Sequence, residues 1–161
     1  MNVIYPGTFD PPTKGHLNII ERGAKLFDRV DVAVGIDTEK KGAIFTQEER
    51  LLFLKTLTKN MANVEVHAFD GLLANFAKEQ EANFIIRSLR TYTDFEHEKT
   101  LAHTNQKLSG IETLFLLPDE AFQSISSTII RDIAKRGERL TPFIPEAIEK
   151  EVFEKLRGEL R

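Results

Sequence analysis

The segment YPGTFDPPTKGH (residues 5–16) brings turn-forming residues, a hydroxyl and a histidine to the start of an amphipathic stretch. Its proline and glycine residues signal turns and stiffen the loop. The amphipathic stretch predicts a helix that begins near Gly15 and His16, which turns free N–H groups and the positive end of the helix dipole toward the loop. His16 can donate a hydrogen bond to an anion held there, and Thr8 can add a hydroxyl. The segment therefore predicts a site for an anion such as phosphate.

This loop matches neither of the two common glycine-rich phosphate loops. The dinucleotide fingerprint requires G-x-G-x-x-G and the P-loop requires G-x-x-x-x-G-K-[ST], and residues 5–16 have neither spacing. A rigid turn followed by a helix-capping histidine is the structural alternative, because most single histidines are structural or surface groups.

Further residues suited to phosphate follow later strand-like runs. Arg87 and Arg90 stand at and just after the end of NFIIR (83–87), and a guanidinium fork suits phosphate oxygens. The run Ser126–Ser127–Thr128 combines N-cap chemistry with three hydroxyls at the start of another amphipathic stretch. Both groups also have structural interpretations, as surface arginines and as helix caps.

The elements that must position these residues alternate along the chain. Strand-length apolar runs lie at 2–5, 29–36, 64–68, 83–87 and 113–117, and amphipathic segments at 15–27, 46–59, 71–80, 94–108, 126–137 and 145–160. Thr46 and Glu49 form a capping-box signature. This alternation predicts an α/β fold with a five-stranded parallel sheet and helices on both faces. Ligands of such sheets bind beyond the carboxyl ends of the strands, which directs attention to loops 6–15, 37–45, 69–71, 88–93 and 118–126.

Composition excludes several classes of function. The 161 residues suit one domain, and the net charge of −3 argues against a general nucleic-acid or membrane-surface binder. Without cysteine there is no disulfide, no thiolate nucleophile and no Cys-based zinc site.

The start MNVIYPGTFD resembles no signal peptide and no apolar run approaches the roughly 20 residues that span a bilayer, so we expect a cytoplasmic protein. We expect no protein metal site, since His67, His97 and His103 lack mutual spacing and carboxylate neighbours.

Several motifs together resemble one enzyme family. GTFDPPTKGH (7–16) is similar to the first signature of the nucleotidylyltransferase superfamily, which in one branch reads G-[ST]-F-D-P-x-x-x-G-H, and ISST (125–128) is similar to the second. IIRSLRTYTDFEHE (85–98) resembles the IRGLR…DFEYE block of the phosphopantetheine adenylyltransferases, and FTQEER (45–50) and LLANFA (72–77) resemble the same family. The resemblance runs essentially from end to end and implies a single Rossmann-like nucleotidylyltransferase domain over residues 1–161.

The resemblance also implies a reaction. This family transfers AMP reversibly from ATP to 4′-phosphopantetheine, which gives dephospho-coenzyme A and pyrophosphate in the penultimate step of coenzyme A biosynthesis. The phosphate of the acceptor attacks in line, so no nucleophilic side chain is needed and catalysis comes from positioning and charge stabilisation. Mg²⁺ is expected to accompany ATP, coenzyme A to act as feedback inhibitor, and the chain to form a homohexamer.

Residue roles follow from matching the family motifs. His16 would stabilise charge at the α-phosphate, with Thr8, Lys40 and Arg90 as the other catalytic residues, and Lys40 is preferred to Lys41 by counting back from FTQEER. The acceptor would contact Thr8, Lys40, Leu73 and Arg87. The ATP contacts would be Thr8, Phe9, His16, Ser88, Leu89, Arg90, Glu98, Phe122, Gln123, Ser124, Ile125, Ser126, Ser127 and Thr128.

Three of these positions carry alternatives. Ser88 stands where the family usually has glycine, and its side chain would crowd a nucleotide if the backbone approaches that nucleotide closely. Glu98 can equally be an exposed helix carboxylate, and Leu73 can simply belong to the core. Asp10 is a tempting Mg²⁺ ligand, but an Asp-Pro turn can also use it to fix loop geometry.

Other functions stay open at this point. A different small-substrate nucleotidylyltransferase, for example one acting on nicotinate mononucleotide or glycerol 3-phosphate, shares the first motif. A catalytically silent nucleotide-binding regulator keeps the fold, but it is expected to lose His16 or the paired arginines. A generic α/β domain would require the motifs to agree by chance.

Overall fold

A computed structural model describes residues 1–36 and 43–158. Within these residues, five strands form one parallel sheet in the order β3-β2-β1-β4-β5, which confirms the predicted sheet. The strands are β1 (Asn2–Gly7), β2 (Arg29–Gly35), β3 (Val64–Phe69), β4 (Phe84–Ser88) and β5 (Glu112–Leu116). The chain adds β2 and β3 on one side of β1, and β4 and β5 on the other side. The carboxyl ends of β1 and β4 therefore form a topological switch point, where open α/β sheets bind ligands.

In the part of the chain that the structure describes, six α-helices and one short 3₁₀ turn (Glu120–Phe122) connect and follow the strands. The helices are α1 (Lys14–Leu26), α2 (Gln47–Thr58), α3 (Leu73–Glu79), α4 (Tyr92–Ser109), α5 (Ser127–Lys135) and α6 (Glu146–Gly158). None of these described helices combines the length and the apolar character that a bilayer crossing requires.

The helices cover both faces of the sheet because the side chains of each strand alternate between the faces. Val3 of β1 packs in one core cluster with Ile19 and Ile20 of α1, whereas Ile4 packs in another with Phe76 of α3. The predicted two-sided helical cover is therefore confirmed.

A third core cluster joins the last two helices to α2. Ile130 of α5, Ile148 and Val152 of α6, and Phe45 just before α2 are all buried in it. The predicted capping box of α2 is confirmed, since Thr46 and Glu49 exchange both cap hydrogen bonds. This cluster holds the start of α5 and the segment before α2 against the carboxyl edge of the sheet.

Element boundaries differ from the predictions in ways that local chemistry explains. Strand β1 continues through Pro6 and Gly7, which pair in register with β2. Helix α1 begins at Lys14, one residue earlier than predicted, because Thr13 caps it. Helix α3 begins at Leu73, two residues later than predicted, after Gly71 with a φ of +78°.

Candidate active site

A cavity of about 660 Å³ opens at the carboxyl ends of β1 and β4. Its wall includes Gly15 and His16 from the start of α1 and Ser127 from the start of α5. Two helix N-termini therefore meet at the switch point of the sheet, where their free N–H groups favour anions. The volume lies within the range of small-molecule sites, roughly 300–1,000 Å³.

His16 is held by a reciprocal cap at the start of α1. The backbone N–H of His16 donates to Thr13 Oγ1 at 3.3 Å, and Nδ1 of His16 accepts from the backbone N–H of Thr13 at 3.0 Å. The ring also packs edge-on against Phe9, with centroids 5.0 Å apart. Because Nδ1 serves as an acceptor, the proton of the neutral ring lies on Nε2, and the ring lines the cavity as a hydrogen-bond donor.

The surroundings of His16 keep it uncharged at neutral pH. Burial, together with the nearby positive charges of Arg90 and Arg87, lowers the pKa of His16 from 6.5 to about 4. The imidazole therefore acts as a neutral donor, and the positive charge of the site comes from arginines.

The loop after β1 presents Thr8 to the cavity through a tight local arrangement. Phe9 is buried with a φ of +51°. A Cβ on Gly7 would lie 2.9 Å from the Phe9 ring, so glycine is required for this packing. Thr8 and Gly7 both line the cavity, and the Thr8 carbonyl accepts a hydrogen bond from Arg50 Nη1 at 2.9 Å.

Asp10 fixes the loop by reaching a distant segment. Its two carboxylate oxygens accept the backbone N–H groups of Ile44 and Phe45, at 3.0 and 2.9 Å. Arg131 Nη1 of α5 lies 3.7 Å from the same carboxylate. Of the two interpretations of Asp10, the structure supports the one in which this carboxylate sets loop geometry.

Arg87 at the end of β4 forms a two-pronged ion pair with Glu98 of α4. Nε and Nη2 of Arg87 each lie 2.5 Å from a Glu98 oxygen, and Nη1 donates to the Pro6 carbonyl at 3.1 Å. Glu98 is 8% exposed, so it is not the exposed helix carboxylate that the sequence left open. The pair fixes the guanidinium in the wall of the cavity.

Arg90 connects the loop before α4 to the segment before α5. Its Nη1 donates to the Ile125 carbonyl at 2.9 Å, and its Nε donates to Asp94 at 3.3 Å. Tyr5 also lines the cavity, and burial raises the pKa of its hydroxyl to about 12. Arg90 and His16 thus line one cavity from different elements.

The start of α5 also contributes to the wall of the cavity. Ser126 is the N-cap residue, and its hydroxyl accepts the N–H of Ile129 at 3.2 Å. Ser127 and Thr128, in the first turn, line the cavity with backbone groups that have no intrahelical partner. The capping role of Ser126 and an anion site at the same helix end are therefore compatible.

Comparisons with known proteins agree with this architecture. The model of the cytidylyltransferase-like family matches residues 4–133. A phosphopantetheine adenylyltransferase from Thermodesulfovibrio yellowstonii is 45% identical to the chain over 155 residues, which cover 96% of each sequence. The chain belongs to the phosphopantetheine adenylyltransferase family. The resemblance noted in the sequence motifs is thereby confirmed.

Solved structures show the same fold at lower identity. A putative nicotinate-nucleotide adenylyltransferase from Vibrio parahaemolyticus matches with a TM-score of 0.64 at 18% identity, covering 99% of this chain and 96% of that one. A lipopolysaccharide core biosynthesis protein from Thermoplasma volcanium matches with a TM-score of 0.54 at 22% identity, covering 74% of this chain and 96% of that one. At these identities the likeness concerns the fold alone.

Most of the residues that family resemblance assigned to ligands lie around the main cavity. Its wall includes Thr8, Phe9, His16, Arg87, Ser88, Arg90, Glu98, Phe122, Ile125, Ser126, Ser127 and Thr128. Leu89, Gln123 and Ser124 are not part of that wall, and the Leu89 N–H instead donates to the Leu116 carbonyl at 3.1 Å. Ser88 ends β4 without a positive φ, so its replacement of the family glycine strains no backbone.

A smaller cavity of about 340 Å³ adjoins the main one. Leu73 and Phe69 line it, and Thr8 and Arg87 lie in the walls of both cavities. Leu73 therefore lies in the wall of a cavity next to the main one. Lys40 and Lys41 lie outside the described residues, so the preference for Lys40 stays a prediction.

Sequence reasoning missed two cavity arginines. Arg50 lies within the FTQEER motif and Arg131 follows ISST by one helical turn, and both line the main cavity. The only available signal was their position in or near the family motifs, because neither spacing nor residue type shows that α2 and α5 turn these side chains inward.

The carboxylates that the structure describes in the main cavity are each already engaged by other protein groups. Glu98 is bound to Arg87, Asp94 accepts from Arg90, and Asp10 accepts two backbone N–H groups, as described above. Mg²⁺ prefers free oxygen ligands in octahedral geometry. The described residues of this cavity therefore offer no ready protein site for the Mg²⁺ that the family resemblance implies.

One histidine has carboxylate neighbours that the sequence did not reveal. His67 Nε2 lies 3.0 Å from Asp31 and 3.5 Å from Glu65, so the expectation that it lacks such neighbours was wrong. The adjacency arises because Glu65 and His67, two residues apart, lie on the same face of β3, and because β2 pairs Asp31 with Glu65. Asp31 is fully buried and also accepts two hydrogen bonds from Arg29, which makes the group a charge network away from the cavity.

Proposed function

We propose that the chain catalyses the reaction of its family, the reversible transfer of AMP from ATP to 4′-phosphopantetheine. The products are dephospho-coenzyme A and pyrophosphate. The observation that carries the proposal is the neutral His16, which lines a cavity shared with Arg90 and two helix N-termini. Such a cavity suits polyanions and places a fixed donor among them.

In this mechanism the acceptor phosphate attacks the α-phosphate of ATP and pyrophosphate leaves. No side-chain nucleophile is required, in accord with a chain that has no cysteine. His16 Nε2–H donates to an α-phosphate oxygen as charge develops there, and the Thr13 cap holds the ring in that tautomer. Arg90 adds positive charge beside the same group.

The acceptor is assigned to the smaller cavity. Leu73 and Phe69 offer an apolar wall to the pantetheine arm, and Arg87 stands where the two cavities join. Glu98 and Pro6 use three of the five N–H groups of Arg87, which leaves two for phosphate oxygens. Thr8 lies at the same junction, and Lys40 is proposed as the second cation for the acceptor phosphate.

ATP is assigned to the main cavity. The N–H groups at the start of α5, with Ser127 and Thr128, are proposed to hold the β- and γ-phosphates. Mg²⁺ would be carried by the phosphate oxygens of ATP and would neutralise part of their charge, since the cavity carboxylates are already engaged.

Three further properties are proposed from family resemblance. Coenzyme A acts as feedback inhibitor, the chain assembles as a homohexamer, and the protein works in the cytoplasm. The exposed side chains of Tyr92, Leu101 and Leu108 give α4 apolar surface that supports subunit contact. Light scattering after size-exclusion chromatography tests the assembly, and a monomer at micromolar concentration would contradict it.

An acceptor panel tests the function. The purified protein is incubated with ATP or CTP and with 4′-phosphopantetheine, nicotinate mononucleotide or glycerol 3-phosphate, and pyrophosphate is measured. We expect release only with ATP and 4′-phosphopantetheine. Turnover with another pair would assign a different member of the superfamily, and no turnover with tight ATP binding would indicate a silent regulator.

A further inference from the structure

Arg50 is a buried cation in the wall of the main cavity. It lies on α2 and is only 6% exposed. Its Nη1 donates to the Thr8 carbonyl at 2.9 Å and its Nε donates to the Thr46 carbonyl at 3.3 Å. Its other N–H groups find no acceptor among the residues that the structure describes.

Arg50 differs from the other cavity arginines in having no carboxylate partner among the residues that the structure describes. Each of these faces a carboxylate within 4.0 Å, in the pairs Arg87–Glu98, Arg90–Asp94 and Arg131–Asp10. Within residues 1–36 and 43–158 no carboxylate forms such a pair with Arg50, and Glu48 on the same helix is exposed. Burying an unpaired charge is costly, and buried charges are normally paired or bound to a ligand.

The position of Arg50 indicates which ligand supplies the missing anion. Arg50 lines the main cavity together with Ser127 and Arg131 of α5, whereas it does not line the smaller cavity. Arg87, in contrast, lines both. Arg50 therefore lies on the side assigned to ATP.

We propose that Arg50 binds a phosphate oxygen of the nucleotide, or of the pyrophosphate that leaves, through its unused N–H groups. The hydrogen bond to Thr8 at the same time ties the loop after β1 to α2, so one guanidinium orders the loop and the anion together. This role rests on the proposed function and adds a phosphate-binding residue to it.

Pyrophosphate binding tests the proposal without turnover. Isothermal titration calorimetry with pyrophosphate compares the wild-type protein with Arg50→Met, Arg50→Lys and Arg136→Met. We expect roughly 10- to 100-fold weaker binding in Arg50→Met, the loss expected for a charged hydrogen bond. Arg50→Lys should recover part of the affinity, because it keeps the charge and loses the fork. Arg136 is exposed at the end of α5, so Arg136→Met controls for net charge.

A kinetic comparison separates binding from a purely structural role. The KM for ATP should rise more than the KM for 4′-phosphopantetheine in Arg50→Lys, which also serves as the test variant if Arg50→Met does not fold. Unchanged pyrophosphate affinity in a folded variant, a larger rise in the acceptor KM, or no binding of millimolar pyrophosphate to the wild type would overturn the proposal. If the wild type fails to turn over but its pyrophosphate binding depends on Arg50, the proposed function fails and the anion site stands.

Discussion

Replacing His16 separates catalysis from helix capping. In His16→Ala the Nε2–H donor is lost, and a single donor aimed at developing charge contributes about 10²–10³ in rate, or roughly 2.7–4 kcal/mol. The same change removes the acceptor of the Thr13 N–H and the edge contact with Phe9. These losses should lower the free energy of unfolding by about 1–2 kcal/mol.

The assay is pyrophosphate release at saturating ATP and 4′-phosphopantetheine, together with denaturant unfolding of each variant. We expect kcat to fall about 10²–10³-fold in His16→Ala while both KM values change much less. His16→Gln is the matched control, because glutamine at this position can restore the capping box. Its stability should return toward wild type without recovery of kcat, since the capping amide is directed at Thr13.

Two results would refute this reasoning. A folded His16→Ala protein whose kcat stays within about threefold of wild type would remove His16 from the transition state. Recovery of kcat in His16→Gln in proportion to its stability would show that the histidine acts through the helix cap alone.

The other predictions concern pH, Glu98 and Asp10. The folded-state pKa of His16 is lowered from 6.5 to about 4, so between these pH values the unfolded chain binds more protons than the folded protein. The contribution of neutral His16 to the free energy of unfolding is therefore lost as the pH falls from 6.5 toward 4. A kcat profile should accordingly show no imidazole titration near pH 6.5, and a step there that disappears in His16→Ala would contradict the neutral ring. Glu98→Gln should raise the KM for 4′-phosphopantetheine about tenfold and the KM for ATP less, because it releases Arg87; an equal rise in both would argue against positioning through Arg87. Asp10→Asn should lower the free energy of unfolding by about 1.5–3 kcal/mol and leave the Mg²⁺ concentration for half-maximal activity unchanged; a large rise in that concentration would make Asp10 a metal ligand.

The sheet and the helices were predictable because their signals are local. Apolar runs and amphipathic periods identified the five strands and six helices of the described residues, and Thr46 with Glu49 marked the start of α2. A helix-capping histidine was the structural alternative for His16, but its reciprocal box with Thr13 was not predicted, because His16 stands where glutamate or glutamine usually does. Its effect is larger than a shifted boundary, since that box sets the ring tautomer of the proposed catalytic residue.

The pairings inside the site were not predictable, because they join residues far apart in the chain. Asp10 reaches Ile44 and Phe45 across more than thirty residues, and Arg87 finds Glu98 on the next helix. A sequence shows that a carboxylate is present, but it does not show whether that carboxylate forms an ion pair with an arginine. The structure shows this, and the burial of Arg50 indicated a role that its residue type alone did not.

The most direct test of adenylyl transfer is to identify both products of one reaction mixture by mass spectrometry. Purified protein, ATP, Mg²⁺ and 4′-phosphopantetheine should yield dephospho-coenzyme A and pyrophosphate in equal amounts, with neither formed when one substrate is omitted. Folded protein that forms no dephospho-coenzyme A, or that releases ADP and phosphate instead, would contradict the account.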